Sequence, residues 1–177
     1  MQLMKNKQIG KILIEKGKIS AENLQEALLL QQNSDLRIGE LLIKKGYLSE
    51  VDLLESLALQ NGFDFKIHID YNDSDSLFKG LSVNFLKNNL IAPFSSGKGI
   101  ILIAITDVLN IQPLDDLKLL FKGYTFKIVL TTTSEVLKII NTHFELVESA
   151  TTNEIIENLE ESDFEILSRT SSETSDI

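Results

Sequence analysis

The chain has 177 residues, with 17 basic and 26 acidic side chains and a net charge of −9. Residues 1–144 hold 16 of each sign, whereas residues 145–177 hold one basic residue against ten acidic ones. A uniformly acidic surface is thereby excluded, and so is a basic groove for DNA or RNA built on an excess of Lys and Arg, while a local site for a small anion stays open. Zero Cys removes disulfides, thiolate chemistry and Cys-ligated metal. His68 and His143 lie far apart in sequence, so no metal site is expected. With 43% apolar residues there is material for a packed core. No apolar run approaches the roughly 20 residues that cross a bilayer. The polar start Met1–Lys7 has no signal-peptide core behind it, so secretion is not expected.

The first third is an internal repeat. Residues 8–31 (QIGKILIEKGKISAENLQEALLLQ) align without gaps on residues 37–60 (RIGELLIKKGYLSEVDLLESLALQ), with 12 of 24 positions identical. Roughly two identities would arise by chance from ordinary composition. Two copies are too few for a solenoid, so each copy reads as a helical hairpin and the pair as a four-helix bundle.

Each copy carries its own punctuation. Ile9, Ile12 and Leu13 fall at helical spacing, Gly17 supplies a left-handed stop, and Ser20 caps a second helix with Leu24, Ala27, Leu28 and Gln31 on one face. The second copy repeats this with Ile38, Leu41, Leu42, Gly46, Ser49, Leu53, Leu57 and Gln60. Gly10 and Gly39 sit just inside a first helical turn, where Gly costs up to about 1 kcal/mol relative to Ala. Two readings are open for them: close helix packing, or bare backbone N–H groups meeting a phosphate or a flat base. Gln31 and Gln60 can pair with a base edge through donor and acceptor, and Arg37 can stack or grip a phosphate. The position matching Arg37 in the first copy is Gln8.

From Phe63 the periodicity changes. Phe65–Ile69, Leu90–Phe94, Ile100–Ile105 and Phe126–Leu130 read as strands. Val83–Asn88, Pro113–Phe121 and Glu135–Thr142 read as helices, the second with Pro113 at an early helical position. Ser95-Ser96-Gly97-Lys98-Gly99 lacks the spacing of a phosphate loop and is read as a hairpin turn. Asp107, Asp115 and Asp116 are the one suggestive carboxylate group. Asp107 follows a strand and suits a turn, and Asp115 and Asp116 are early in a helix where negative charge is favoured. Adjacent helical residues point apart, so they do not form an acid/base pair. No arrangement of nucleophile, base and oxyanion donors is visible, and the chain is expected not to be an enzyme. Residues 148–177 carry nine acidic residues against Arg169, with Ile155, Ile156 and Leu159 forming one amphipathic stretch, and read as a linker.

A 24-residue motif ending in Gln, present twice with a five-residue spacer, here residues 32–36, resembles the MshEN domain found at the amino terminus of type II secretion and type IV pilus assembly ATPases. The stretch from Asn88 to Ile140 is similar to the second half of that domain, so the resemblance spans roughly residues 8–147. It implies an α+β fold: an N-terminal four-helix bundle of two hairpin repeats (1–62), a small α/β sandwich subdomain (63–147) and an acidic tail (148–177) leading towards an ATPase core. It implies cyclic di-GMP as ligand, each motif copy gripping one side of the dinucleotide. The first copy would use Gln8, Ile9, Gly10, Leu13, Leu24, Leu28 and Gln31; the second would use Arg37, Ile38, Gly39, Leu42, Leu53, Leu57 and Gln60. Gln8 departs from the motif arginine, and losing a charge-assisted contact typically costs about 1.5–3 kcal/mol, ten- to over a hundredfold in affinity. The alternative implied by the family is a nucleotide-independent domain that docks the ATPase on an inner-membrane platform protein. Either way the resemblance implies a cytoplasmic location, peripheral to the inner membrane through partners, with no cofactor and no nucleic acid.

Overall fold

The computed structural model describes residues 8–71, 76–78 and 80–145; the polar start and the acidic tail lie outside the described residues. Four short helices come first: α1 Ile9–Glu15, α2 Ala21–Gln31, α3 Ile38–Lys44 and α4 Glu50–Asn61. Their boundaries follow local chemistry. Ser20 Oγ accepts from Asn23 N at 3.1 Å and Ser49 Oγ accepts from Asp52 N at 3.1 Å, which satisfies one orphan donor at the start of α2 and of α4. Gly17 (φ +65°) and Gly46 (φ +73°) turn the chain left-handed after α1 and α3. The N–H groups of Lys18 and Tyr47 then close back on the carbonyls of Leu13 and Leu42, both at 2.9 Å.

The helices pair across the repeat, α1 on α4 and α2 on α3. Exchanging the copies maps one pair onto the other, so the bundle has an internal twofold character. Its core is Leu13, Ile19, Ala27, Leu42 and Leu48.

The second part is a four-stranded sheet in the order β1-β4-β3-β2, with β1 Asp64–Phe65, β2 Ile91–Gly97, β3 Ile100–Ile105 and β4 Thr125–Leu130. The strands β2 and β3 form an antiparallel hairpin, while β3 and β4 run parallel and are joined through α6 Gln112–Leu120, the crossover a parallel pair requires. Helices α5 Val83–Asn89 and α7 Thr133–Ile140 pack against β2. The predicted hairpin turn is present: Lys98 (φ +51°) and Gly99 (φ +74°) are both left-handed, as a two-residue turn between antiparallel strands demands.

One strand is corrected. The alternation over Phe65–Ile69 predicted a full strand, but β1 stops at Phe65. Its parallel partner β4 ends at Leu130, which pairs with Phe65, and one more bond, Lys66 N to Leu130 O at 3.0 Å, finishes the ladder. Beyond that no further strand pairs with it among the described residues, and the chain turns so that Ile69 is buried with its N–H on Glu135 of α7.

The two cores meet in α4. Leu54 and Ala58 of that helix belong to the larger core with Phe78, Leu86, Ile103, Leu130 and Ile139, while Leu53 packs on the smaller one. The repeat and the sheet are therefore stitched by one helix with two buried faces.

Candidate functional site

The motif residues fall into matched pairs. A Cβ placed on Gly10 would lie 2.8 Å from Leu24 Cδ1, and one on Gly39 would lie 2.8 Å from Leu53 Cδ1. These are the same two motif positions, so each glycine lets a leucine of the following helix close over it. The glycines thus act in packing, the first of their two sequence readings, in this conformation. Leu13 and Leu42, expected as apolar wall, are both fully enclosed in the bundle core. They shape the site from below. Ile9 and Ile38 are half-buried on that core, and Leu57 is half-buried against the sheet core. Leu28, its equivalent in the first copy, is 48% exposed on α2 beside Leu29 and Leu30.

Both ends of the site carry polar groups. Gln31 Nε2 donates to Leu36 O at 3.3 Å, which ties the end of α2 to the segment between the copies. Gln60 is half-buried near the end of α4. Gln8 stands exposed at the N-cap of α1, where its side chain makes no capping bond. Arg37 stands at the equivalent cap of α3, with Glu40 Oε2 accepting from its backbone N–H at 2.8 Å.

Arg37 Nη1 also meets Asp107 Oδ2 at 2.7 Å, and that hydrogen bond raises the affinity of the guanidinium for its proton. Asp107 lies in the connection from β3 to α6, and its other oxygen accepts from Leu109 N at 2.9 Å. The turn role read from sequence is there; the ion pair is an addition. Of the other carboxylates, Asp115 pairs with Lys118 at 2.8 Å on the same helix, and Asp116 is exposed.

Two further ties cross between the copies at equivalent positions. Lys18 reaches Asp52 and, at 3.4 Å, Glu55 on α4. In the other half Tyr47 Oη donates to Glu26 at 2.6 Å, with Lys45 on the same carboxylate at 3.0 Å. Tyr47 and Lys45 hold Glu26 below the usual carboxylate range, and Lys18 with Ser49 does the same to Asp52. Sequence reasoning missed these pairs. The signal was available: the offset of 29 that aligns the copies carries Lys18 onto Tyr47 and Glu55 onto Glu26.

An open groove of about 580 Å³ lies elsewhere, between the end of α1, the second half of α4 and β1. It is lined by Lys16, Lys18, Glu55, Leu59, Phe63 and Phe65 among others, so the Lys18–Glu55 tie borders it, but none of the residues expected to hold the dinucleotide does. Among the described residues there is no cluster of His, Asp and Glu that could hold a metal ion, and no helix long and apolar enough to cross a membrane.

Residues 68–150 match the family model of the MshEN domain. A solved structure of MshE with cdg, an abbreviation of cyclic di-GMP, is similar with a TM-score of 0.64 at 24% identity, covering 78% of this chain and all of that one. The N-terminal domain of XpsE gives 0.61 at 23% identity, covering 80% of this chain and 96% of that one. Those shares exceed what residues 68–150 occupy, so the shared fold takes in helical repeat as well as sheet. No curated protein matches the chain.

Proposed function

We propose that the chain is the regulatory domain of a type II secretion or type IV pilus assembly ATPase and binds cyclic di-GMP across both motif copies, a reading supported by the match of residues 68–150 to the family model of the MshEN domain. The observation that carries this reading is the twofold character of the repeat. Equivalent residues make equivalent contacts in the two halves: Gly10 under Leu24 and Gly39 under Leu53, Lys18 on Glu55 and Tyr47 on Glu26. A ligand with two equal halves suits a surface with two equal halves. That MshE, whose fold is similar, is described with this dinucleotide supports the choice of ligand.

In this reading Ile9, Gly10, Leu24, Leu28 and Gln31 receive one guanylate, and Arg37, Ile38, Gly39, Leu53, Leu57 and Gln60 the other. Leu13 and Leu42 support them from the core. Gln8 leaves the first half without the arginine that stands at this motif position in the second, so the second half is the stronger one. The domain spans residues 8–147 in two parts joined by α4, is non-catalytic, and acts in the cytoplasm. Calorimetric titration of the purified chain with cyclic di-GMP tests the reading; absence of heat at tens of micromolar protein would overturn it.

A second reading has its own observation. Leu28, Leu29 and Leu30 on α2 and Leu119 and Leu120 at the end of α6 are large apolar side chains left exposed, from 37% to 70%. They suit a protein-interaction role in which the domain docks the ATPase on an inner-membrane platform protein without nucleotide. A complex with that partner insensitive both to Arg37→Ala and to the dinucleotide would favour it.

A further inference from the structure

The ion pair between Arg37 and Asp107 joins residues 70 apart in sequence, one at the first turn of the second motif copy and the other on the sheet side of the molecule. Asp107 uses both carboxylate oxygens: Oδ2 takes the Arg37 guanidinium at 2.7 Å and Oδ1 holds the turn through Leu109 N at 2.9 Å. A carboxylate and a phosphate compete for the same guanidinium fork, because both offer paired anionic oxygens at similar spacing. The first copy has no counterpart to this tie, since Gln8 has no charge to offer. The internal carboxylate therefore acts on one half of the bundle.

We infer that Asp107 is a built-in competitor for Arg37, so that an anionic ligand engaging Arg37 displaces the carboxylate and releases the β3–α6 connection, residues 106–111, from the helical repeat. The inference rests on the proposed dinucleotide reading and adds a way for binding at the repeat to be felt at the sheet. The coupling has a simple form: the ligand-free state has the Arg37–Asp107 bond, the bound state has an Arg37–phosphate bond, and their difference sets how strongly the two sites communicate. The side chains are 54% and 35% exposed, so the pair is a weak one and its removal is worth at most about fivefold in affinity. A tie of that size can be broken by a ligand that binds at all.

The test titrates the whole chain with cyclic di-GMP by calorimetry for wild type, Asp107→Asn, Asp107→Glu and Arg37→Ala, and follows hydrogen exchange over residues 106–111 with and without ligand. Asp107→Asn keeps the acceptor for Leu109 and removes the charge; it is expected to bind about two- to fivefold tighter than wild type. Asp107→Glu, which keeps the charge, serves as the folded control and is expected to bind like wild type. Ligand-free Asp107→Asn and Arg37→Ala are expected to exchange faster than wild type over 106–111, and saturating ligand to bring wild type to the same level. Wild-type binding with no gain in Asp107→Asn, or with exchange over 106–111 unchanged or slowed by ligand, overturns the competitor while leaving the dinucleotide reading in place. Absence of binding in every variant overturns the dinucleotide reading and the competition with it. In that case, equal exchange in ligand-free wild type and Arg37→Ala would show that the tether is also absent.

Discussion

Glu50 Oε1 accepts two hydrogen bonds from Thr133, one from its backbone N–H at 2.9 Å and one from its hydroxyl at 2.7 Å. The first residue of α4 thereby caps the first residue of α7, across 83 positions of sequence, and brings a negative charge to the positive end of a helix. Glu50→Ala should destabilise the protein by about 1 kcal/mol, within the range of lost N-terminal caps. Urea unfolding is the measurement, and Glu50→Gln, which keeps an acceptor, should lose less.

The glycine–leucine pairs predict an unusual response to alanine. Ala at Gly10 or Gly39 gains up to about 1 kcal/mol of helix propensity, but its Cβ would meet leucine carbons at 2.8 Å. Overpacking of that kind costs roughly 1–3 kcal/mol, so each substitution should lower the melting temperature. Gly39→Ala with Leu53→Ala should recover part of the propensity gain, and the double-mutant cycle would show strong coupling.

Glu135 is a buried carboxylate whose Oε1 accepts from Ile69 N at 2.9 Å. This bond holds the chain where β1 gives out. Glu135→Leu strands a buried N–H and should cost about 1–3 kcal/mol. Glu135→Gln retains an acceptor and is expected to be milder, a contrast that chemical denaturation of the two variants resolves.

The ties between the copies give a pH dependence with a definite sign. Lys18 and Ser49 lower the pKa of Asp52 in the folded chain. The folded state therefore binds fewer protons at this site than the unfolded state, and the stabilisation is complete above about pH 4, the usual carboxylate value, and lost as pH falls below it. Glu26, lowered by Tyr47 and Lys45, contributes in the same direction. Unfolding midpoints measured from pH 6 down to pH 2 should fall less steeply in Asp52→Asn than in wild type.

If the first motif copy is weakened by Gln8, restoring the cation should help. Gln8→Arg is expected to tighten cyclic di-GMP binding about ten- to a hundredfold, the worth of a charge-assisted contact. Unchanged affinity in calorimetry would count against the role assigned to that position.

Much of the architecture was legible because its causes are local. Serine caps at Ser20 and Ser49, left-handed glycines at Gly17 and Gly46 and the Lys98-Gly99 turn each act within a few residues, and the structure has all of them. The duplication itself was legible, whereas the packing of α1 on α4 and α2 on α3 was settled only by the tertiary structure. The strand over Phe65–Ile69 was overread because alternation reports a half-buried segment, and Ile69 is indeed buried, but says nothing of whether a partner strand is long enough to meet it.

The sequence by itself determined the four-helix repeat, the change to strands after Phe63, and the motif pairs Gly10/Gly39 and Gln31/Gln60, since spacing and dihedral preference are properties of neighbouring residues. Tertiary structure alone decided that Arg37 faces Asp107, that Glu50 caps α7, that α4 belongs to two cores, and that Leu13 and Leu42 lie beneath the surface. Those contacts join residues that only packing brings together, and a pattern read along the chain carries no record of which distant group will fill the remaining valence of a charge.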